Sequence, residues 1–240
     1  MERRRFLRTC AIGGATAAAG PAAIEAMLAS AWAATSFKEY PPARLVDMNG
    51  DPLKGSKLAT NRNYVFTYPY AATPCFLLSL DKPVQPRAEL ATEAGGRYEW
   101  TGGVGARKAI VAYSAICAHK LAYPAKEVTF IRFQEQPSKT SKGGVIHCCA
   151  EHSVYDPADG ARVLGGPAPQ PLAAIVLAWD PKTDGLSAIG TAGGEQFDAF
   201  FAKYEFKLGL DYGSGKAKAP VGATTVCKEL AQYCRNTVQC

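Results

Sequence analysis

The stretch of sequence that is most informative about the fold and the site reads Cys117-Ala118-His119 and, after a long gap, Cys149-Ala150-Glu151-His152. It holds two Cys-His pairs, one spaced C-x-H and the other C-x-x-H. Two thiolates and two imidazoles can bind zinc, or a 2Fe-2S cluster in which two Cys hold one iron and two His hold the other. Zinc fingers favour C-x2-4-C and H-x3-5-H, which these pairs do not follow. The spacing therefore favours a 2Fe-2S cluster with Cys117, His119, Cys149 and His152 as ligands.

The residues that follow His152 support the same interpretation. They read Ser153-Val154-Tyr155-Asp156-Pro157 and lead to the loop Gly165-Gly166-Pro167-Ala168-Pro169. Together with the Cys-His pairs, these segments resemble the Rieske family in detail. The resemblance implies that Ser153 and Tyr155 donate hydrogen bonds to cluster sulfurs, and that the loop with Gly166 and Pro167 covers the cluster. Such bonds neutralise charge on the sulfurs and raise the reduction potential.

Cys148 and His147 are the competing candidates in the second loop. Cys148 gives C-x-x-x-H and, if the strand alternation continues, points to the opposite side from Cys149, so Cys149 is the preferred ligand. The chain has three His, and His147 at a predicted strand end is expected to be a packed or surface residue. A Rieske oxygenase needs two further His and a carboxylate for its mononuclear iron. With one spare His, the chain cannot be a self-contained oxygenase.

The N-terminal residues 1–33 resemble a bacterial twin-arginine export signal. Glu2-Arg3-Arg4-Arg5-Phe6-Leu7-Arg8 precedes an apolar Ala/Gly-rich run that ends in the small-x-small pattern Ala31-Trp32-Ala33. This route exports folded proteins, which agrees with a cluster assembled in the cytoplasm. Gly, Pro and Glu25 interrupt the run before about 20 apolar residues accumulate, so cleavage is favoured over retention as a membrane anchor. The resemblance implies a periplasmic protein.

The net charge of the chain is modest. The formal net charge is +6, of which residues 1–33 supply +2 through four Arg, Glu2 and Glu25, leaving +4 for the rest. No basic run with interleaved aromatic residues is present. The sequence therefore does not indicate binding to nucleic acid.

Beyond residue 33 the pattern is predominantly β, with an antiparallel sandwich or barrel base as the Rieske-type fold expected for residues 34–212. A small cluster-binding subdomain is expected to be inserted at about 114–171, a hairpin or loop at 81–107, and one helix at 195–204. Residues 213–240 read as a Cys-containing tail that begins with a linker. The alternation of apolar, aromatic and β-branched residues predicts strands at 63–68, 76–80, 109–113, 127–133, 145–146, 175–179 and 186–189.

From about residue 44 to 189 the chain is most similar to the small Rieske subunit of arsenite oxidase. The matching pieces include Asn63-Tyr64-Val65-Phe66-Thr67-Tyr68-Pro69, Thr73-Pro74-Cys75, Gly103-Val104-Gly105 and Asp180-Pro181-Lys182-Thr183-Asp184-Gly185. This likeness implies an electron-transfer subunit without a substrate site of its own. Its partners would be a large molybdenum-cofactor subunit, which oxidises the substrate, and a cytochrome c or cupredoxin, which takes the electrons. The alternatives are the Rieske subunit of a quinol-oxidising cytochrome bc complex and a zinc-stabilised exported binding domain.

The sequence lacks a disulfide that the better-known respiratory relatives form between their ligand loops. Those proteins join the two ligand loops by a disulfide, and the matching positions here are Ala122 and Glu151. The gap between His119 and Cys149 is also longer than usual. An exported protein can form disulfides, and Cys227 and Cys234 in the tail would have to find partners among Cys75, Cys148 and Cys240, or stay free as packed apolar residues.

Overall fold

A computed structural model of the chain describes residues 37–240, so the predicted export signal at 1–33 lies outside the described residues. The described part contains sixteen strands and two α-helices. The strands are β1 Phe37–Val46, β2 Tyr64–Thr67, β3 Pro74–Ser79, β4 Ala88–Ala91, β5 Arg97–Trp100, β6 Ile110–Ser114, β7 Val128–Thr129, β8 Ile131–Gln134, β9 Val145–Cys148, β10 Ser153–Asp156, β11 Arg162–Gly165, β12 Ala174–Asp180, β13 Gly185–Ala192, β14 Thr224–Val226, β15 Lys228–Glu229 and β16 Asn236–Thr237. The helices are α1 Phe197–Tyr212 and α2 Leu230–Tyr233.

The base of the molecule is an eight-stranded sheet in the order β14-β1-β13-β12-β6-β3-β2-β15. All neighbours in it are antiparallel except β1 and β14. Its edges approach each other, because the Thr225 hydroxyl on β14 donates to Thr67 O on β2 at 2.9 Å. The base is therefore a nearly closed barrel, and the predicted all-β class is confirmed.

Period-2 alternation in β3 shows how the base separates two cores. Phe76 and Leu78 belong to a cluster that extends toward the inserted subdomain, whereas Cys75 and Leu77 belong to the cluster on the other face. Both faces are covered, so every residue of β3 is buried. Burying a Phe or Leu side chain stabilises the fold by roughly 1.5–3 kcal/mol, and this strand therefore anchors the base to the inserted subdomain.

The inserted subdomain is a four-stranded antiparallel sheet in the order β11-β10-β9-β8, which lies in sequence between base strands β6 and β12. This sheet lies within the range of about 114–171 predicted for an inserted subdomain, whose bounds stay a prediction. The Asn63 side chain fastens it to the base, since its amide donates to Phe133 O at 2.8 Å and accepts from Phe133 N–H at 2.7 Å. The region 81–107 forms the separate hairpin of β4 and β5, as expected.

Helix α1 is longer than the predicted segment 195–204. Phe197, Phe200 and Phe201, spaced i, i+3 and i+4 along the helix, are buried and pack in the core. The helix continues beyond a non-helical residue, Tyr204, and buries Leu208 in its second half. Within residues 37–240, none of the helices has the length and apolar character needed to cross a bilayer.

The C-terminal residues pack against the base: in the segment predicted as a linker, through Pro220, Ala219 O and Ala217 O accept the Ala71 and Ala72 N–H groups at 2.9 and 3.1 Å. β14 pairs with β1 and β15 pairs with β2, on opposite edges of the base sheet. β16 then pairs with β7 beside the inserted subdomain. Backbone pairing with the sheet edges therefore supplies the order of residues 224–237, where local sequence preference is weak.

Candidate metal centre

The first ligand loop follows β6 and carries Cys117 and His119. A tight turn closes it, because the Leu121 N–H donates to Cys117 O at 3.0 Å and the Cys117 N–H donates to Ala122 O at 2.8 Å. Cys117 is 1% exposed, whereas the His119 side chain is 21% exposed. The loop therefore directs its thiol inward and holds its imidazole at the solvent edge.

The second ligand loop is the turn of the β9–β10 hairpin. Cys148 pairs with Ser153 at the end of the ladder, so Cys149–His152 form the connecting turn. His152 has a φ of 59°, in the left-handed region that non-glycine residues enter mainly in turns. Side chains in this turn no longer follow strand alternation.

Strand register decides which Cys of the second loop faces the first. Cys148 lies opposite Ser153, and Tyr155 is two residues further along β10, so these three side chains share one face of the sheet. Cys148 and Tyr155 belong to the same buried cluster as Cys117. The expectation that Cys148 points away is therefore wrong. It assumed that the strand continues through Cys149, whereas β9 ends at Cys148.

The Cys117 and Cys148 thiols form a hydrogen-bonded pair. This contact is the main reason why the pKa of Cys117 falls to about 6; burial opposes the shift, and Tyr155 and the loop N–H groups add to it. The same contact, together with burial, raises the pKa of Cys148. Because metals bind thiolates, the pair offers one ready ligand atom and one that must release a proton on binding.

Both predicted hydroxyl donors lie beside this thiol pair. The Tyr155 hydroxyl accepts the Ala118 N–H at 3.2 Å, which leaves its own proton for Cys117 Sγ at 3.3 Å. Ser153 is 1% exposed, and its hydroxyl has no hydrogen-bond partner. Leaving such a group unpaired costs about 1–3 kcal/mol. The orphaned hydroxyl therefore fits a site completed by an acceptor such as a cluster sulfide.

The Gly165–Pro169 loop lies against the second ligand loop at Gly166. Gly166 has a φ of 81°, and a Cβ at this position would lie 2.3 Å from His152 O and 2.6 Å from the Ser153 Cα. Only glycine allows two backbones to approach this closely. Pro167 follows as an exposed residue. The contact places this loop at the predicted site, and its role as the cover of a cluster stays a prediction.

A carboxylate lies beside the first imidazole. Glu151 Oε2 is 3.3 Å from His119 Nδ1, and the Glu151 side chain is 48% exposed. The His119 Nδ1 atom is itself buried and has no hydrogen-bond partner, so this contact is at ion-pair distance but is not aligned as a hydrogen bond. Glu151, at a position where the respiratory relatives carry a bridging Cys, therefore lies beside His119.

The two remaining predicted ligands make other contacts. Cys149 forms a disulfide with Cys240, and a disulfide sulfur offers no thiolate, so Cys149 is not available as a ligand in this state. The exposed His152 ring lies 5.7 Å from the ring of His147. His147 is fully buried, as expected for a packed residue, and burial, followed by His152 and Arg132, lowers its pKa. The selection of Cys149 and His152 from spacing alone stays a prediction that this geometry does not support.

The spacing of the donor atoms distinguishes one metal ion from two. Ligand atoms around a single tetrahedral ion lie about 3.3–3.8 Å apart, given metal bonds of about 2.0–2.3 Å. Among the described residues, the one His, Cys, Asp or Glu trio with atoms within 4.8 Å of one another is His147, His152 and Cys240. The Cys117–Cys148 and His119–Glu151 pairs therefore do not converge on one ion. Two separated pairs fit a centre with two irons.

The remaining cysteines differ in their bonding state. Cys240 is bonded to Cys149, whereas Cys75, Cys227 and Cys234 are free and buried. Burial raises the pKa of Cys227 to about 12, so it behaves as a small apolar residue. No disulfide joins the two ligand loops, in agreement with Ala122 and Glu151 at the expected positions.

No protein-family model matches the chain. Among solved structures, the chain is similar to the soluble domain of the Rieske protein II (soxF) from Sulfolobus acidocaldarius, with 26% sequence identity and a TM-score of 0.45. The match covers 65% of this chain and 82% of that one.

Proposed function

We propose that this chain is a Rieske-type electron-transfer protein that holds a 2Fe-2S cluster between its two ligand loops. The observation that carries the proposal is the meeting of Cys117 and Cys148, with the Tyr155 hydroxyl bonded to the Cys117 sulfur. The unpaired Ser153 hydroxyl, the unpaired His119 Nδ1 and the Gly166 contact lie around the same point. The donor set and its division into two pairs both fit such a cluster.

When bound, the cluster would supply a reversible one-electron couple. The chain's own residues set the conditions for it. Tyr155, Ser153 and the loop N–H groups offer hydrogen bonds to sulfur, which favour the reduced state. The buried apolar residues packed around Cys117 and Cys148 exclude water from one side of the site. His119 reaches the solvent edge and is the natural point of electron exchange with a partner.

We further propose that the protein works in the bacterial periplasm after twin-arginine export. The partners proposed are a large molybdenum-cofactor subunit as electron donor and a cytochrome c or cupredoxin as acceptor, as implied by the likeness to the small subunit of arsenite oxidase. The sequence from Glu2 to Arg8 and the similarity over residues 44–189 support this assignment. In a cytochrome bc complex, quinol would replace the molybdenum subunit as the source of electrons.

The test is isolation of the native protein from the periplasm, followed by metal and sulfide analysis. Two irons and two sulfides per chain, a visible chromophore and an EPR signal that appears on reduction are expected. Co-purifying molybdenum would support the proposed donor, and a co-purifying cytochrome b would indicate the bc complex instead. A colourless protein that contains zinc would overturn the electron-transfer function.

Tyr155→Phe is expected to lower the reduction potential by roughly 40 mV. The change removes the hydroxyl donor 3.3 Å from Cys117 Sγ, and a net hydrogen bond of about 1 kcal/mol corresponds to this shift for one electron. Potentiometric titration measures the shift. Tyr113→Phe is the matched control, because the buried Tyr113 hydroxyl donates to Pro157 O at 2.8 Å and not to sulfur. Equal potentials in the Tyr155 variant and the parent would show that the hydroxyl does not act on the cluster.

A further inference from the structure

We infer that Cys148 and Glu151, rather than Cys149 and His152, complete the centre. Its two pairs would then be Cys117 with Cys148, and His119 with Glu151. This ligand set has one imidazole and one carboxylate where the C-x-x-H spacing predicts two imidazoles. The inference rests on the proposed function, because it concerns which residues of this chain bind that cluster.

The choice of thiolate follows from the hairpin register. Cys148 is the last residue of β9 and shares its face with Ser153 and Tyr155, the residues proposed to donate to sulfur. That face is the one on which Cys117 packs. Cys149 is the first residue of the turn, and its sulfur is bonded to Cys240 in the C-terminal tail. A thiolate at Cys148 therefore lies opposite Cys117 without any change in the register of the hairpin.

The choice of Glu151 follows from its distance to His119. Nitrogen and oxygen ligands bound tetrahedrally at about 2.0–2.2 Å lie about 3.3–3.5 Å apart. The observed separation between His119 Nδ1 and Glu151 Oε2 is 3.3 Å, and no hydrogen bond joins them. A nitrogen and an oxygen atom held at this spacing, the nitrogen buried and without a hydrogen-bond partner, have the arrangement of two ligands on a shared metal ion.

The His152 side chain contacts a different part of the subdomain. Its left-handed backbone turns the side chain out of the strand alternation, and its ring lies beside the buried His147. In the register of the sheet, His147 and Arg132 pair on the face opposite to Cys148. His152 therefore contacts the outer face of the subdomain, whereas the centre lies on the inner face.

The thiolate assignment is tested with the full-length exported protein. Cys148→Ser is expected to lose the cluster, with iron and sulfide contents near zero. Cys149→Ser combined with Cys240→Ser is the matched control, because it removes the second-loop cysteine that the C-x-x-H spacing selects together with its disulfide partner, and it is expected to retain iron, sulfide and the visible absorption. Retention in Cys148→Ser with loss in the Cys149→Ser, Cys240→Ser control would overturn the assignment.

The carboxylate assignment is tested by pulsed EPR of the reduced protein, which counts imidazole nitrogens bound to the cluster. One strongly coupled ¹⁴N is expected in the parent and in His152→Gln. Glu151→His is expected to show a second coupled nitrogen and a higher reduction potential, because a neutral ligand replaces an anionic one. Two nitrogens in the parent, with loss of one in His152→Gln, would overturn the inference while leaving the proposed function intact. A parent protein without iron would overturn the proposed function itself, and with it this inference.

Glu151 lies in an exposed turn, so its substitution is not expected to unfold the protein. Glu151→Gln serves as the second variant, since it keeps the size of the side chain and removes its charge. It is expected to weaken cluster retention and to alter the EPR g-values, with unchanged circular dichroism. A Glu151→Gln protein whose iron content and EPR spectrum equal those of the parent would show that the carboxylate is no ligand.

Discussion

Gly166→Ala is expected to displace the second ligand loop and to lower the free energy of unfolding by roughly 2–4 kcal/mol. Two causes act together. The residue has a φ of 81°, which is unfavourable for alanine, and the new Cβ would lie 2.3 Å from His152 O. The atoms that it meets belong to backbone, so no side chain can rotate away. The hairpin turn that carries Glu151 must move, and with it the proposed centre.

Chemical denaturation measures the loss of stability, and absorbance per protein measures the loss of cluster. Gly165→Ala is the matched control, because no atom lies within 4 Å of its Cβ and its φ is not positive. That variant is expected to differ from the parent by less than about 0.5 kcal/mol. If the two variants retain the cluster equally, the contact between Gly166 and the ligand loop has no part in holding it.

Cys240→Ser is expected to lower the free energy of unfolding by roughly 3–5 kcal/mol, and Tm by roughly 10 °C. The Cys149–Cys240 disulfide spans a sequence separation of 91, so it removes much chain entropy from the unfolded state. It also ties the ligand turn to the C-terminal tail, which pairs with β1, β2 and β7. The disulfide to the tail therefore stabilises the second ligand loop, which has no disulfide to the first ligand loop.

Thermal unfolding with and without a thiol reductant checks this prediction. The parent should lose stability when the reductant is added, whereas Cys240→Ser should respond little. Peptide mapping under non-reducing conditions should recover Cys149 joined to Cys240. A parent with the same Tm in both conditions, and with Cys240 alkylated in the folded state, would show that the tail is not covalently attached.

Much of the base was predictable because its signals are local. The closing hairpin of β12 and β13 alternates on both sides of a turn that contains Asp180, Asp184 and Gly185, and the structure has it at Ala174–Asp180 and Gly185–Ala192. The Phe197, Phe200 and Phe201 stripe likewise identified a packed helix. Such patterns depend on residues a few positions apart, so they need no knowledge of the fold.

The sequence by itself indicated the all-β class and the two segments that carry the Cys-His pairs, whereas the contact between Cys117 and Cys148 appears only in the tertiary structure. It could not decide between Cys148 and Cys149, because a shift of one residue at the end of β9 turns each side chain to the other face. Only the pairing of Cys148 with Ser153 fixes that end. The contact between His119 and Glu151, and the bond from Cys149 to Cys240, join residues that are far apart in sequence. Such contacts exist only once the sheets have brought the loops and the tail together.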